Sequence, residues 1–174
     1  MNKEYKELLF QYLSMALPYN IIVRHADYLV DDEGNETGKF WYLYGYLCNV
    51  CSLDDMTTTI IESEGSDNEG YEHICDLERS LPYLRDMNDM TNEEYEELKS
   101  LCSIYIPSDS RNIGFEDYGV LVFTHHFTND SYTFKLNNMK VINWLLKNHF
   151  DFMGLIDKGL AIKITKENNP YGKY

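Results

Sequence analysis

The segment from residue 143 to residue 161 combines apolar residues at helical spacing with Gly154 and Gly159, and it constrains the fold most strongly. Residues 139–149 place apolar side chains at helical spacing, which predicts a helix with one buried face. That face comprises Met139, Ile142, Leu145, Leu146 and His149. The side-chain oxygen of Asn137 or Asn138 is expected to cap the first turn of this helix.

A turn and a short strand are predicted after this helix. Gly154 permits a backbone turn that a residue with a Cβ atom would resist. Residues 155–159 predict one short helical turn that ends at Gly159 in a C-terminal cap. Residues 160–164 alternate in polarity and predict a strand. The segment therefore predicts a helix-turn-strand unit that completes the core of the protein.

Short motifs in three parts of the sequence show a family resemblance. The motifs are Leu17-Pro18-Tyr19, Pro82-Tyr83-Leu84-Arg85 leading to Met90-Thr91, and the C-terminal set Trp144-Leu145, His149-Phe150-Asp151, Gly154-Leu155-Ile156 and Gly159-Leu160-Ala161. They resemble the motifs of a family of small uncharacterised proteins from gut bacteria of the Bacteroides group and their phages. The sequence departs from that family at Asp86, where the family tends to have proline, and at Asn88 and Asp89, where it tends to have serines. The resemblance implies a bacterial or phage cytoplasmic setting and no known activity.

Two longer helices are predicted earlier in the sequence. Residues 2–16 repeat apolar side chains at helical spacing. Pro18 is expected to end this helix, because the residue before a proline avoids helical backbone angles. Residues 91–102 are the second predicted helix. Its start carries Thr91 and Glu94, which are expected to form a capping box.

Strands are predicted where β-branched and aromatic residues cluster. The predicted strands are residues 20–24, 39–48, 56–61, 118–127 and 131–136. The segments predicted to be irregular are a mobile acidic loop at 62–72, a connector at 79–84, a loop at 107–118 and a polar tail at 168–174. The expected fold is α+β: a single domain over residues 1–174, with a mostly antiparallel sheet of about five strands, two long helices and the C-terminal helix-turn-strand unit.

The charge of the protein is strongly negative and unevenly distributed. The formal net charge is −14. Residues 1–139 hold 26 acidic and nine basic residues, whereas residues 140–174 hold three acidic residues and six lysines. Such a field repels the phosphates of nucleic acids and anionic lipids and attracts a basic protein surface. Solubility alone also explains a net charge away from zero. Nucleic acids and membranes are therefore not expected as partners.

A protein-binding surface is the first functional hypothesis. Its candidate contacts are acidic residues in and before the second helix and two aromatic residues of the strand at 39–48: Asp86, Asp89, Glu93, Glu94, Glu96, Glu97, Trp41 and Tyr44. In this hypothesis the protein occupies a basic groove of a host protein, where carboxylates stand in for phosphates, as a counter-defence inhibitor would. A homodimer through edge-to-edge pairing of the aromatic strand is a further expectation. No cofactor is expected.

A histidine and aspartate cluster is the basis of the second hypothesis, a metal-dependent hydrolase of a phosphoester or nucleotide. His125 and His126 are neighbours in a strand and point to opposite faces, so only one of them can join a given site. With His149 and Asp151, that histidine could bind a metal or act as a general base. The sequence does not show that these residues meet. A histidine hydrogen-bonded at the end of a core helix is the commoner arrangement.

Cys48 and Cys51 form a C-x-x-C pair, which with Cys75 and Cys102 could make a four-thiolate zinc site, and His73 adds one possible ligand beside Cys75. A zinc ribbon needs a second close pair of cysteines, and Cys75 and Cys102 are far apart in the sequence. Buried or inert reduced thiols are therefore expected, rather than a zinc site or the disulfide scaffold of a secreted protein.

A binder of a small nucleotide-like ligand is the third hypothesis, in which tyrosines and Trp41 or Trp144 stack on the ligand. Such a site needs a local cation, and the sequence has four arginines: Arg24, Arg79, Arg85 and Arg111. There is no Gly-x-Ser-x-Gly elbow and no phosphate-binding glycine loop to indicate other chemistry. There is also no apolar run long enough to span a bilayer, and a cytoplasmic location in a bacterial cell is expected.

Overall fold

The computed structural model describes residues 1–53, 56–64, 70–102, 110–116, 120–125, 131–136 and 138–172. The protein forms two compact units. The first consists of Met1–Tyr83 and Gly159–Tyr174, and the second of Leu84–Lys158. The prediction of a single domain over residues 1–174 stays a prediction.

Helices and strands both contribute to the described part of the protein. The helices are α1 (Lys3–Ala16), α2 (Asn92–Cys102) and α3 (Met139–Lys147). The strands are β1 (Ile22–Val30), β2 (Glu36–Leu53), β3 (Met56–Glu64), β4 (Gly70–Asp76), β5 (Ser80–Leu84), β6 (Ser110–Glu116), β7 (Val120–His125), β8 (Ser131–Lys135) and β9 (Ile162–Lys163). The predicted α+β class is confirmed. None of these helices, within the residues described, is long and apolar enough to cross a membrane.

The strands are divided between two sheets. The larger sheet has the order β4-β3-β2-β1-β5-β9, and the smaller has the order β6-β7-β8. Neighbours from β4 to β5 and within the smaller sheet pair antiparallel, whereas an isolated parallel bridge joins Arg85 and Phe150. The pairing is therefore mixed. The prediction of one mostly antiparallel sheet of about five strands is corrected, because sheet membership depends on pairing between distant segments.

Strands also occur where irregular segments were predicted. The predicted loop 62–72 is strand at both ends, since β3 runs to Glu64 and β4 begins at Gly70, and residues 65–69 lie outside the described residues. Most of the predicted loop 107–118 is β6, and the predicted connector 79–84 contains β5. These segments are polar or short. Backbone hydrogen bonds to neighbouring strands stabilise them as strands. Their own residue types favour strands only weakly, so the sequence did not predict them.

Helix α1 packs the predicted face into the core of the first unit. Its buried residues are Leu8, Leu9, Tyr12, Leu13 and Ala16. Asn2 caps the helix, because its side-chain oxygen accepts a hydrogen bond from the backbone N–H of Tyr5 at 2.8 Å. A short 3₁₀ turn containing Pro18 follows the helix. Asn20 then adopts a left-handed conformation with φ of 53°, and β1 begins at Ile22 rather than at the predicted Asn20.

Arg85, the second residue of the second unit, lies at the centre of a hydrogen-bond network. The backbone N–H of Arg85 donates to the carbonyl of His149 at 2.8 Å, and its carbonyl accepts from the N–H of Asp151 at 2.9 Å. The guanidinium lies 4.2 Å from the ring centroid of Phe150 and donates to the carboxylate of Glu94. Arg85 therefore joins the start of the unit to α2 and to the segment after α3.

Helices α2 and α3 begin as predicted. The N–H of Thr91 donates to the Glu94 carboxylate at 2.8 Å, and the N–H of Glu94 donates to the Thr91 hydroxyl at 3.2 Å, which confirms the capping box. Asn138 caps α3. The buried face of α3 differs from the prediction, since Met139 is 63% exposed while Val141 is buried. The helical spacing is satisfied by both sets, and packing selects the one that includes Val141.

Candidate functional site

Strand β2 presents a row of aromatic residues to solvent. Successive side chains of a strand alternate between its two faces, so residues 40, 42, 44 and 46 share one face. Phe40, Tyr42, Tyr44 and Tyr46 are between 46% and 49% exposed. Large aromatic rings that stand together on one face of a sheet form an exposed apolar patch. Such patches commonly mark contact surfaces in proteins.

Strand β1 contributes the neighbouring part of this face. Tyr28 lies opposite Phe40 in the strand register, Ala26 lies opposite Tyr42, and Arg24 lies opposite Tyr44. The rings of Tyr28 and Phe40 are 4.8 Å apart between centroids. We define the aromatic face as Tyr28, Phe40, Tyr42, Tyr44 and Tyr46. Because β1 and β2 are neighbours inside the larger sheet, the ladder between them fixes the spacing of these rings.

Arg24 lies within the aromatic face. Its guanidinium carbon is 4.7 Å from the ring centroid of Tyr42, which is a cation–π distance. Among the residues described, none of the ion pairs includes Arg24. Its buried Nε has no hydrogen-bond partner in the described part of the protein, and the residue as a whole is partly exposed. Arg24 thus retains hydrogen-bonding capacity that its described surroundings do not use.

Arg79 stacks in a similar way and differs in its ionic partners. Its guanidinium carbon is 4.4 Å from the ring centroid of Tyr28. It also pairs with the carboxylate of Asp27 at 3.2 Å and with that of Asp76 at 3.9 Å. The charge of Arg79 is therefore balanced inside the protein, whereas the described contact of the Arg24 guanidinium is an aromatic ring.

The C-terminal segment covers the sheet beside Tyr44. Ile22, Tyr83 and Ile164 form a buried cluster. The partly buried side chains of Ile162 and Tyr171 pack against it. The ring centroids of Tyr44 and Tyr83 are 6.5 Å apart. The hydroxyl of Tyr171 accepts a hydrogen bond from the N–H of Ile22 at 2.9 Å and donates to the carbonyl of Tyr83 at 3.2 Å. The predicted polar tail is therefore an anchored segment at Tyr171, and it borders the aromatic face.

The two aromatic residues predicted to bind together lie on opposite faces of β2. Tyr44 belongs to the aromatic face and is 49% exposed. Trp41 is 39% exposed and pairs across from Asp27, on the other face. A single flat partner surface cannot contact both faces of one strand at this point. The strand is also interior to the sheet, between β1 and β3. Edge-to-edge pairing requires a strand at the edge of a sheet, so β2 does not provide the expected pairing, and the homodimer itself stays a prediction.

The predicted acidic contacts belong to the second unit, and the structure divides them by their local roles. Glu93, Glu96, Glu97 and Asp89 are exposed. The Glu94 carboxylate is held by Arg85 and by the backbone N–H of Thr91. Asp86 accepts a hydrogen bond from the N–H of Asn88 at 2.9 Å. Glu94 and Asp86 thus stabilise the start of α2 and the turn before it.

The aspartate of the predicted His/Asp cluster has a structural role. The Asp151 carboxylate accepts hydrogen bonds from the backbone N–H groups of Met153, Leu155 and Ile156 at 3.3, 2.9 and 2.7 Å. Burial raises the pKa of Asp151, while these three hydrogen bonds act to lower it. Both carboxylate oxygens are therefore engaged in holding the turn after α3.

The structure describes the three histidines of that cluster to different extents. His149 is 8% exposed and adopts a left-handed backbone with φ of 58°. The backbone of His125 belongs to β7, but its imidazole and the whole of His126 lie outside what the structure describes. The backbones of His149 and Asp151 are both hydrogen-bonded to the backbone of Arg85.

The cysteines are present as free thiols. Cys48 is exposed, Cys51 is partly exposed, and Cys75 and Cys102 are buried. Burial raises the pKa of Cys75 to about 11, with Asp27 and Asp76 acting in the same direction. Burial also raises the pKa of Cys102 to about 11. Protonated thiols are poor nucleophiles and poor metal ligands.

Within the residues described, no group of three or more His, Cys, Asp and Glu residues is placed to hold a metal ion. The predicted set of Cys48, Cys51, Cys75 and His73 does not assemble there as a metal site. Comparisons with protein-family models, with curated proteins and with solved structures found no match for this protein.

Sequence reasoning chose Tyr44 alone from the aromatic face as a contact residue and did not place Arg24 beside it. The alternation of aromatic residues at 40, 42, 44 and 46 was visible in the sequence, and it would have separated Trp41 from Tyr44. The position of Arg24 required the register between β1 and β2. That register is set across the hairpin between β1 and β2, whose turn lies at residues 31–35.

Proposed function

We propose that this protein acts by binding another protein through the aromatic face. The observation that carries this proposal is the row of Phe40, Tyr42, Tyr44 and Tyr46, which are about half exposed on one face of β2. Tyrosine and arginine are among the residues most enriched in energetically dominant contacts of protein interfaces. Rigid rings fixed in a sheet also lose little conformational entropy on binding.

The partner we propose carries a basic surface around its contact region. The net charge of −14 creates a field that attracts positive and repels negative macromolecules at low ionic strength. Tyrosine rings also accept cations on their faces, as Tyr28 and Tyr42 accept two of the protein's own arginines. The resemblance to small proteins of Bacteroides-group bacteria and their phages favours a partner in the bacterial cytoplasm.

The test compares variants on the two faces of the same strand. Tyr44→Thr with Tyr46→Thr removes two rings of the aromatic face and keeps a residue type that favours strands. Trp41→Thr is the matched control, because Trp41 lies on the opposite face at similar exposure. The immobilised wild-type protein and both variants are incubated with a lysate of a Bacteroides-group bacterium at low and high salt. Captured proteins are then purified and titrated by calorimetry.

The proposal requires a protein whose purified form binds the wild type and the Trp41→Thr variant, with weaker binding at high salt. The same protein must lose most of its affinity for the Tyr44→Thr, Tyr46→Thr variant. A partner that depends on Trp41 and ignores Tyr44 and Tyr46 would show that the aromatic face is not the binding surface.

A further inference from the structure

Arg24 is an unbalanced cation in an acidic part of the protein. Residues 1–83 contain five basic and 16 acidic residues. Arg79, in the same unit, pairs with two carboxylates, and Arg85, in the other unit, pairs with Glu94. Among the described ion pairs, Arg24 has none. Acidic residues outnumber basic ones about three to one in this part of the sequence, yet no described carboxylate pairs with Arg24.

The surroundings of Arg24 hold its guanidinium in place without neutralising it. Tyr42 lies 4.7 Å from the guanidinium carbon, and Tyr44 lies opposite Arg24 in the strand register. Burial raises the pKa of Tyr83, and the nearby positive charge of Arg24 opposes part of this increase. The buried Nε has no hydrogen-bond partner among the described residues. Because Nε is buried, a group that arrives from solvent can reach only the terminal nitrogens of this partly exposed residue.

We infer that Arg24 receives the C-terminal carboxylate of the protein partner at the centre of the aromatic face. This inference rests on the proposed function and names the chemistry at its centre. The terminal nitrogens of a guanidinium match the two oxygens of a carboxylate, and hydrogen bonds between charged groups are stronger than neutral ones. The rings of Tyr42, Tyr44 and Tyr46 would exclude water around this pair, as the rim of an interface does around its strongest contacts.

The acidic field around Arg24 selects the kind of molecule that can deliver the carboxylate. A polyanion such as a nucleic acid meets repulsion from the remaining acidic groups over its whole length. A protein segment with a single carboxylate in a neutral or basic surface gains the contact with Arg24 and avoids that repulsion. Placing one opposite charge at a fixed position is a common way for an interface to discriminate between partners.

The first experiment uses a pair of probes that differ only in charge. N-acetylphenylalanine carries a carboxylate beside an aromatic ring, and N-acetylphenylalanine amide is its neutral match. Both are titrated into the full-length protein, with binding followed by NMR shifts of the backbone amides of Tyr42 and Tyr44. We expect the acid to bind about tenfold more tightly than the amide, from one charge-assisted hydrogen-bonded contact.

The variants assign this preference to Arg24. Arg24→Gln should abolish the preference for the acid, and Arg24→Lys should retain part of it, because lysine keeps the charge and loses the paired geometry. Arg79→Gln is the matched control, since Arg79 also stacks on a ring of this face but is already paired with Asp27. It should leave the preference unchanged. Equal binding of the acid and the amide to the wild type would overturn the inference without any variant.

Two further outcomes separate this inference from the proposed function. If a purified protein partner loses affinity with Tyr44→Thr and Tyr46→Thr but binds Arg24→Gln normally, the aromatic face is a binding surface and the carboxylate inference is wrong. If adenosine monophosphate binds the face more tightly than N-acetylphenylalanine, the anion belongs to a small ligand, and the inference of a protein carboxylate is likewise overturned. Loss of partner affinity in Arg24→Gln, together with the acid preference, supports it.

Discussion

The guanidinium of Arg85 donates two hydrogen bonds to the carboxylate of Glu94, at 2.6 Å and 2.9 Å. The two side chains are only 5% and 19% exposed. A paired charge at such a site is stable because its partner replaces the water that it has lost. If one side chain of the pair is removed, the charge of the other is left without its counterion in a largely buried site. This destabilises the folded protein.

Replacement of Arg85 by methionine is therefore expected to lower the free energy of unfolding by about 3–5 kcal/mol. Urea unfolding followed by circular dichroism measures this loss. Glu96→Gln is the control, because Glu96 pairs with Lys99 while its own side chain is 61% exposed, and exposed pairs contribute about 0–1 kcal/mol. A loss of the same small size for Arg85→Met would show that Arg85 and Glu94 do not form a stabilising pair.

His25 predicts how stability depends on pH. It is 5% exposed, and its Nδ1 lies 3.2 Å from the Ser80 hydroxyl. Burial lowers the pKa of His25 from 6.5, and the carboxylates of Asp27 and Asp76 only partly oppose this. Below pH 6.5 the unfolded protein therefore binds a proton that the folded protein resists. The contribution of His25 is complete above pH 6.5 and is lost as the pH falls towards the lowered folded value.

We expect His25→Gln to reduce the slope of unfolding free energy against pH in the window below 6.5. Urea midpoints measured in steps from about pH 8 to about pH 5 test this. His73→Gln, at a partly exposed histidine of β4, controls for the loss of a histidine as such. Parallel curves for the wild type and His25→Gln would contradict the assignment.

Tyr171→Phe tests the anchoring of the C-terminal segment. The hydroxyl of Tyr171 bridges the N–H of Ile22 and the carbonyl of Tyr83. Its removal leaves a donor and an acceptor without this partner, and we expect a loss of about 1–3 kcal/mol in the free energy of unfolding. Tyr46→Phe removes a hydroxyl from a residue that is 48% exposed and should have little effect. Equal losses in the two variants would show that the bridge does not stabilise the fold.

The cysteines should react in the order of their exposure. Cys48 is exposed, whereas Cys75 and Cys102 are buried with pKa values raised to about 11. With iodoacetamide at neutral pH, mass spectrometry of tryptic peptides should show Cys48 modified first. Cys75 and Cys102 should be modified only when urea unfolds the protein. Early modification of Cys75 or Cys102 in the folded protein would contradict this assignment.

Local signals in the sequence were sufficient to predict the helices. The spacing of Leu8, Leu9, Tyr12 and Leu13 indicated the buried face of α1, and Thr91 with Glu94 indicated the capping box of α2. These features depend on residues three or four positions apart, so a single sequence contains the whole signal. The strands depend on partners that are distant in the sequence. β4 forms beside β3, and a polar segment such as Gly70–Asp76 does not reveal this neighbour.

The candidate site was predictable only in part, for the same reason. Strand alternation alone would have divided the aromatic residues of β2 between its two faces, but the presence of Arg24 among them follows from the pairing of β1 with β2. Asp151 illustrates the opposite error. An aspartate close to histidines in sequence suggested chemistry, whereas its oxygens accept three backbone hydrogen bonds that a sequence pattern does not display.

The bridge formed by Tyr171 also has a consequence for the order of folding during synthesis. Tyr171 is made 88 residues after Tyr83 and 149 residues after Ile22, although its hydroxyl joins the two. A ribosome therefore completes the whole of the second unit while the sheet of the first still lacks its last strand and its anchor. Throughout that interval the apolar surfaces of Ile22 and Tyr83 remain uncovered in the nascent protein. Chaperones that recognise exposed apolar surface would have this period in which to bind.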